Sequence, residues 1–454
     1  VGSSDQALAQ RIAFEAGCVT AKDVAPGKSV WCLIGAGAIF ATTKMDDTNF
    51  KDIFFQLTGN PPFPWQTRLY DCFTRGAASI PTRCDIPTGL GKTSVIAIWL
   101  LAREVRPSLP RRLVYVVNRR TVVDQTTTEI ENICANIKKY ALPITMPAIS
   151  TLRGQFADNR EWSADPSRMA VICGTIDMIG SRLLFSGYGV GFKGKPLHAG
   201  FLGQDAMIVH DEAHLEPAFQ KLLIAIEEEQ SKGRFPDRHP LRVMELSATS
   251  RSKGDESSDV KPPFTLTPAD YEHKVVRERI HAIKKLHLIP QTDPKPGNQL
   301  ASIAIDRFKD SGQAVLIFTR TIDDVKSITD MLAKAKLPFD QLIGPMRGLE
   351  RNRLTDPRDE QGSPIFARFL PPPKPDAPEN QRWKVTPASG TVYLVCTSAG
   401  EVGVNISADH LVCDLSTFES MAQRFGRVNR FGKCADTQIH VVHHATDAAP
   451  CHPC

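Results

Sequence analysis

The chain has 454 residues, a formal net charge of +5, and 42% hydrophobic and 23% charged residues. That length exceeds one ordinary hydrophobic core and points to two or three domains. The charge excludes a histone-like electrostatic wrap and leaves a polyanion partner only a local basic surface. The apolar run Val30 to Phe40 is too short to cross a bilayer, so no membrane partner is expected. Most cysteines sit in apolar runs, as Cys173 and Cys396 do, and read as buried thiols of a reducing, cytoplasmic compartment.

Residues 1–44 do not resemble the rest; their Gly35-Ala-Gly37 lacks the third glycine of a dinucleotide fingerprint, and the functional chain is expected to begin at Met45. In Pro62-Phe-Pro-Trp-Gln66, Phe63 or Trp65 either stacks on a base or fills the core. Next comes Asp85-Ile-Pro-Thr-Gly-Leu-Gly-Lys-Thr-Ser94, opening the helical-looking run Val95 to Arg103. A glycine turn that opens a helix aims backbone N–H groups and the positive end of the helix dipole at one spot, which makes a phosphate cradle. Its wall is Pro87, Thr88, Gly89, Leu90, Gly91, Lys92, Thr93 and Ser94. Lys92 is placed to reach the β and γ phosphates of ATP, and the Thr93 hydroxyl to complete the shell of Mg2+. Ile86 stands where the general pattern has its first glycine.

Short apolar runs then alternate with helical stretches. Leu113–Val117 ends in Asn118-Arg119-Arg120, Ala170–Cys173 in Gly174-Thr-Ile-Asp177, Met207–Val209 in His210-Asp-Glu-Ala-His214, and Val243–Leu246 in Ser247-Ala-Thr249. Runs without polar alternation suit strands covered on both faces of a parallel sheet, with the binding crevice just past their ends. The glycines between Phe185 and Gly203 predict an exposed loop, and Ser252–Pro263 a domain boundary. A second set of strands starts at Ala314–Phe318 and continues, beyond a Pro-rich loop at Leu370–Pro378, with Val392–Val395, Leu411–Leu415 and Gln438–Val442. The expectation is two tandem α/β units, residues 45–260 and 261–454. At the C-terminal end Cys451-His-Pro-Cys454, near His443 and His444, offers half of a zinc site without a second Cys pair, or simply a chain end.

Asp211, just past a buried strand, can hold magnesium through water, and Glu212 can orient and deprotonate the water attacking the γ phosphate. Positive charge from the opposite side comes from Gln423-Arg-Phe-Gly-Arg-Val-Asn-Arg430, where a helix would put Gln423, Arg427 and Arg430 on one face. An arginine finger is worth roughly a thousandfold or more in rate.

The Pro-Thr-Gly-x-Gly-Lys-Thr loop resembles motif I of superfamily 2 helicases, and with it seven such motifs stand in order from about Pro62 to Gly432, with Asp211–His214 in the DEAH form. Val116-Val-Asn-Arg-Arg-Thr-Val-Val-Asp-Gln125, Thr151-Leu-Arg-Gly154, Gly174–Leu184 and Thr397-Ser-Ala-Gly-Glu-Val-Gly-Val-Asn-Ile-Ser407 resemble the helicase of CRISPR type I interference, closest to its I-U or I-G variant. The resemblance implies two RecA-like P-loop NTPase domains with the ATP site in the cleft between them, and 3′-to-5′ movement on single-stranded DNA. It implies that Gln66 reads the adenine edge, and that His214, Ser247 and Thr249 couple ATP state to strand grip. It also implies that Arg119, Arg120, Thr151, Arg153, Thr175, Asp177, Thr319, Arg320 and Thr397 face the nucleic acid. Implied partners are the guide-RNA surveillance complex and a metal-dependent HD nuclease. No HD pair is seen here apart from His210-Asp211 of motif II, so no DNA cleavage is expected of this polypeptide alone. Asn405 departs from the aspartate that many relatives carry in motif V. Two other readings stay open: another superfamily 2 enzyme, such as an RNA helicase or restriction-type translocase, and an ATP-gated clamp without productive turnover.

Overall fold

The computed structural model describes residues 49–76, 79–153, 161–232, 239–248, 262–373, 382–401 and 404–444. The expected extension 1–44, Met45, Thr249, the Cys451–Cys454 pair and most of the Ser252–Pro263 boundary lie outside them.

Two parallel sheets organise the chain. Strands β1 (Arg83–Asp85), β2 (Arg112–Val117), β3 (Ala148–Leu152), β4 (Ala170–Thr175), β5 (Ala206–Asp211), β6 (Arg242–Ser247) and β7 (Phe264–Thr265) form a seven-stranded sheet in the order β3-β4-β2-β5-β6-β1-β7. Strands β8 (Lys285–Pro290), β9 (Ala314–Phe318), β10 (Phe339–Leu342), β11 (Val392–Cys396), β12 (His410–Asp414) and β13 (Gln438–His443) form a six-stranded sheet in the order β10-β11-β9-β12-β13-β8. Both faces are covered, which is why β2, β4, β9, β11 and β12 are buried at every position. On β2, Leu113, Tyr115 and Val117 pack towards Trp99, while Val114 and Val116 pack towards Ile179 and Leu202 on the other face. On β9, Leu316 and Phe318 share one core with Met421, and Val315 and Ile317 share another with Leu300 and Ile328. Parallel strands bring all their C-terminal ends to one edge, so the polar residues beyond them converge there.

Two local expectations change. The stretch expected as a loop to Gly203 contains a helix, Gly194–Gly203, because Ala199, Phe201 and Leu202 are buried on the first lobe. Packing there outweighs the low helix propensity of its glycines. Past Thr265 the chain also stays with the first lobe: Val276 belongs to that lobe's core, and Phe264, Leu266 and Ile280 pack against it.

Candidate functional site

The phosphate loop begins inside the core. Ile86 is fully buried and donates its N–H to the Ser247 carbonyl (3.0 Å), so the residue replacing the first glycine is a core side chain extending the sheet. The turn is made instead by Gly89 (φ 84°) and Gly91 (φ 75°), both in the left-handed region that favours glycine. Lys92–Ser94 then form a single 3-10 turn into the helix Val95–Val105.

Lys92 Nζ donates to Glu212 Oε1 at 2.6 Å and lies 4.0 Å from Asp211 Oδ1. Glu212 sits at φ 52°, a left-handed position for a residue with a side chain and therefore a strained one. Its other oxygen, Oε2, is 3.4 Å from His214 Nδ1, which lies 3.3 Å from Ser247 Oγ. An unbroken line of polar groups thus runs from the phosphate loop to the end of β6. Asp211 Oδ2 accepts from the Tyr115 hydroxyl at 2.8 Å, while Oδ1 is buried and accepts no hydrogen bond among the described residues. Burial pushes the Asp211 carboxyl up, Lys92 opposes this, and Glu212 adds to it. A buried, unsatisfied carboxylate oxygen 4.0 Å from the Lys92 ammonium of the phosphate loop is chemistry suited to a hydrated divalent cation.

Gln66 is buried and both ends of its amide are engaged: Oε1 accepts the Phe63 N–H (2.7 Å) and Nε2 donates to Ser94 Oγ (2.7 Å). It caps the helix Pro64–Arg75 and braces the loop. Trp65 is core, whereas Phe63 is half-buried and faces Arg279. The Arg279 guanidinium lies over both Phe63 (5.6 Å) and Phe431 (5.5 Å) and donates to the Gly89 carbonyl at 2.5 Å.

The helix expected to reach Arg430 is Phe418–Phe425 and stops there. Val428 forms a bridge with Ala408, and Asn429 adopts φ 44°, so Gln423, Arg427 and Arg430 do not share one helical face. Both arginines nevertheless reach the seam. A Cβ on Gly89 would lie 3.5 Å from Arg430 Cγ, and one on Gly426 would lie 3.2 Å from Thr88 Oγ1. Arg427 donates through Nε and Nη2 to the Glu401 carbonyl (3.1 and 2.9 Å) and through Nη1 to that of Val404, within electrostatic reach of Glu212. Burial, then Arg430, pulls Arg427 down to about 9, and burial, then Arg279, pulls Arg430 down to about 10; both stay cationic at neutral pH. Gln423 is half-buried.

Of the nine residues assigned to nucleic acid, eight lie at or beyond strand ends and Thr151 is the penultimate residue of β3. Arg119 crosses to the second lobe, donating to the Ser398 carbonyl (2.6 Å) and approaching Glu401 (3.9 Å). Arg120 and Asp177 are exposed, Arg153 pairs with Asp124 (2.5 Å), and Thr151 shares a hydrogen bond with Thr127 (3.0 Å). Arg320 is 54% exposed while pairing with Asp414 (3.0 Å). Thr175 and Thr397 are nearly buried, and Thr319 is wholly buried with its hydroxyl turned inward onto Asp324 (3.3 Å).

The sequence reading passed over Arg424, which is 2% exposed and ion-paired to Glu401 (2.9 Å) and Asp414 (2.8 Å). It also missed Lys284, which donates to the Phe425 carbonyl (2.8 Å) and is lowered to about 8 by burial and by Arg430. Arg424 lay in a quoted motif, but helical spacing selected its neighbours; no pattern marks Arg279 or Lys284. His210 of the His-Asp dipeptide is fully buried on Gln220 (2.7 Å), away from Asp211. Among the described residues no three His, Cys, Asp or Glu side chains form a metal cluster, and no helix is long and apolar enough to cross a membrane.

Residues 311–433 match the family described as the C-terminal part of the CRISPR-associated nuclease/helicase Cas3, and residues 76–251 match the res subunit of type III restriction enzymes. No curated protein matches the sequence. Among solved structures, T. fusca Cas3 with AMPPNP superposes with a TM-score of 0.57 at 17% identity, covering 88% of this chain and 48% of that one. The Mycobacterium smegmatis helicase Lhr bound to ssDNA and AMP-PNP gives 0.54 at 15%, covering 87% and 47%. A Dbp5 variant from S. cerevisiae bound to RNA and ADP BeF3 gives 0.51 at 17%, covering 86% of each. The chain therefore spans about half the length of the Cas3 and Lhr chains. With a family match in each lobe and this tandem fold, the chain resembles Cas3, and its two parallel-sheet domains resemble the tandem RecA-like domains of helicases.

Proposed function

We propose that this chain is an ATP-dependent translocase or helicase that moves on single-stranded DNA in CRISPR type I interference. One observation carries the reading: Lys92, Asp211 and Glu212 of the first lobe face Arg427 and Arg430 of the second across a single cleft. In that cleft Lys92 and the loop amides bind the triphosphate, Glu212 orients the attacking water and takes its proton, and Arg427 and Arg430 meet the charge developing on the γ phosphate. Thr93 and Asp211 are the residues that would hold magnesium, which when bound neutralises phosphate oxygens. Phe63 and Phe431 offer ring faces for the base. His214 and Ser247 pass the state of Glu212 on to the ends of the strands.

Arg119, Arg120, Arg153 and Arg320 supply cationic groups for a phosphate backbone and no base-reading pattern, which supports a track with little sequence preference. DNA as the polymer, the guide-RNA complex as recruiter and an HD nuclease as companion follow from the likeness to Cas3. Steady-state ATP hydrolysis with and without single-stranded DNA or RNA tests the reading. Stimulation by DNA supports it. Stimulation by RNA alone makes the chain an RNA helicase, and DNA binding gated by ATP without turnover makes it a clamp.

A further inference from the structure

We propose that Tyr115 is a positioning residue for the magnesium shell, an inference that rests on the ATPase reading above. Tyr115 lies on β2 beside β5, in register with Val209, and its ring is 1% exposed within the first core. Its neighbours along the strand, Val114, Val116 and Val117, are aliphatic. A tyrosine here buries a hydroxyl that an aliphatic residue would not, and burying it is favourable only if it finds partners.

The partners are the two side chains assigned to the cation. The phenol donates to Asp211 Oδ2 at 2.8 Å, and the Thr93 side chain interacts with the same phenol oxygen. A phenol has one proton, and here the carboxylate takes it; towards Thr93 the oxygen therefore presents only lone pairs. That polarity matters for Thr93. A hydroxyl that gives its lone pair to a cation must direct its proton elsewhere, and Tyr115 is the acceptor at hand. The same phenol fixes Asp211 by one oxygen, leaving Oδ1 buried and without a hydrogen bond among the described residues. One buried ring thus sets the lone-pair direction of Thr93 and the rotation of Asp211, with no contact to the cation itself. Such outer partners of metal ligands typically matter by about 10- to 100-fold in metal affinity.

The test measures how the Mg2+ concentration sets binding of a fluorescent ATP analogue to the whole chain. Tyr115→Phe, which keeps the ring and removes the hydroxyl, should raise the half-saturating Mg2+ concentration about 10-fold. Saturating Mg2+ should bring turnover back towards wild type, and the unfolding midpoint without nucleotide should fall only modestly, by the loss of one donor to the buried Asp211 carboxylate. A double-mutant comparison supplies the independent measurement. Thr93→Val should also raise the requirement, and adding Tyr115→Phe to it should raise it by clearly less than tenfold more, because the phenol acts partly through Thr93. An unchanged Mg2+ requirement in Tyr115→Phe, or fully additive losses in the pair, overturns the inference. If the wild-type chain binds no nucleotide at any Mg2+ concentration, the ATPase reading fails first and takes this inference with it.

Discussion

The two lobes hold their charged residues in opposite ways. In the first, Lys92, Asp211 and Glu212 are 9%, 15% and 16% exposed, pair with one another, and leave Asp211 Oδ1 and Glu212 Oε2 without hydrogen bonds among the described residues. In the second, Arg424 is 2% exposed and locked between two carboxylates, while Arg427 is fastened by carbonyls of its own lobe. Carbonyls fix the direction of a guanidinium without neutralising its charge, whereas carboxylates neutralise it. The same short segment therefore holds one arginine as scaffold, Arg424, and another as a directed charge, Arg427. The first lobe is an incomplete shell that a charged ligand would finish; the second is a finished frame that points charge at it.

The largest expected effect falls on the incomplete shell. Lys92→Ala should abolish measurable ATP turnover, and Glu212→Gln should do the same while still binding ATP in a filter or fluorescence assay; undiminished turnover would remove both residues from these roles. Arg427→Ala comes next, with a loss of about a thousandfold in kcat and a far smaller change in ATP affinity. Equal losses in both would make Arg427 structural and erase the contrast with Arg424. Arg424→Met should cost about 3–5 kcal/mol of stability, because it leaves Glu401 and Asp414 buried without their partner. Denaturant unfolding reads that loss, and a stable but inactive protein would reverse the assignment of the two arginines.

The smallest effect is a pH dependence confined to the second lobe. Burial first, and then His287, depresses His440 from 6.5 to about 4. As pH falls below 6.5 the unfolded chain takes up this proton before the folded one, so stability declines between pH 6.5 and about 4 and levels off below. The whole effect amounts to at most about 3 kcal/mol. His440→Gln should flatten that part of the thermal-unfolding profile, and an unchanged profile would mean that other groups dominate.

The strands legible from sequence, β2, β4, β5, β6, β9, β11, β12 and β13, lie inside the sheets and read as apolar runs. Strand β8 was not legible, because an edge strand with Leu286 and Leu288 exposed has no buried pattern to display. The helix Gly194–Gly203 was hidden for the opposite reason: its glycines signal a loop, while the packing of Phe201 and Leu202 decides the outcome. At the site, residue types with one chemical use, such as Lys92 and the Asp211-Glu212 pair, were visible from their spacing. The helix end at Phe425 depends on the bridge between Val428 and Ala408, a contact across some twenty residues that local periodicity does not encode. Gln66 and Arg279 depend on neighbours still farther along the chain.

Gly426 sets a mechanical tolerance for the whole machine. Its bare α-carbon lets the arginine-bearing turn come so close to the phosphate loop that a single added methyl would sit 3.2 Å from the Thr88 hydroxyl, tighter than ordinary van der Waals contact. The clearance between the jaws is thus gauged by one absent carbon atom, and a bulkier residue at that point would act as a wedge, holding charge and target apart though every reactive group remained in place.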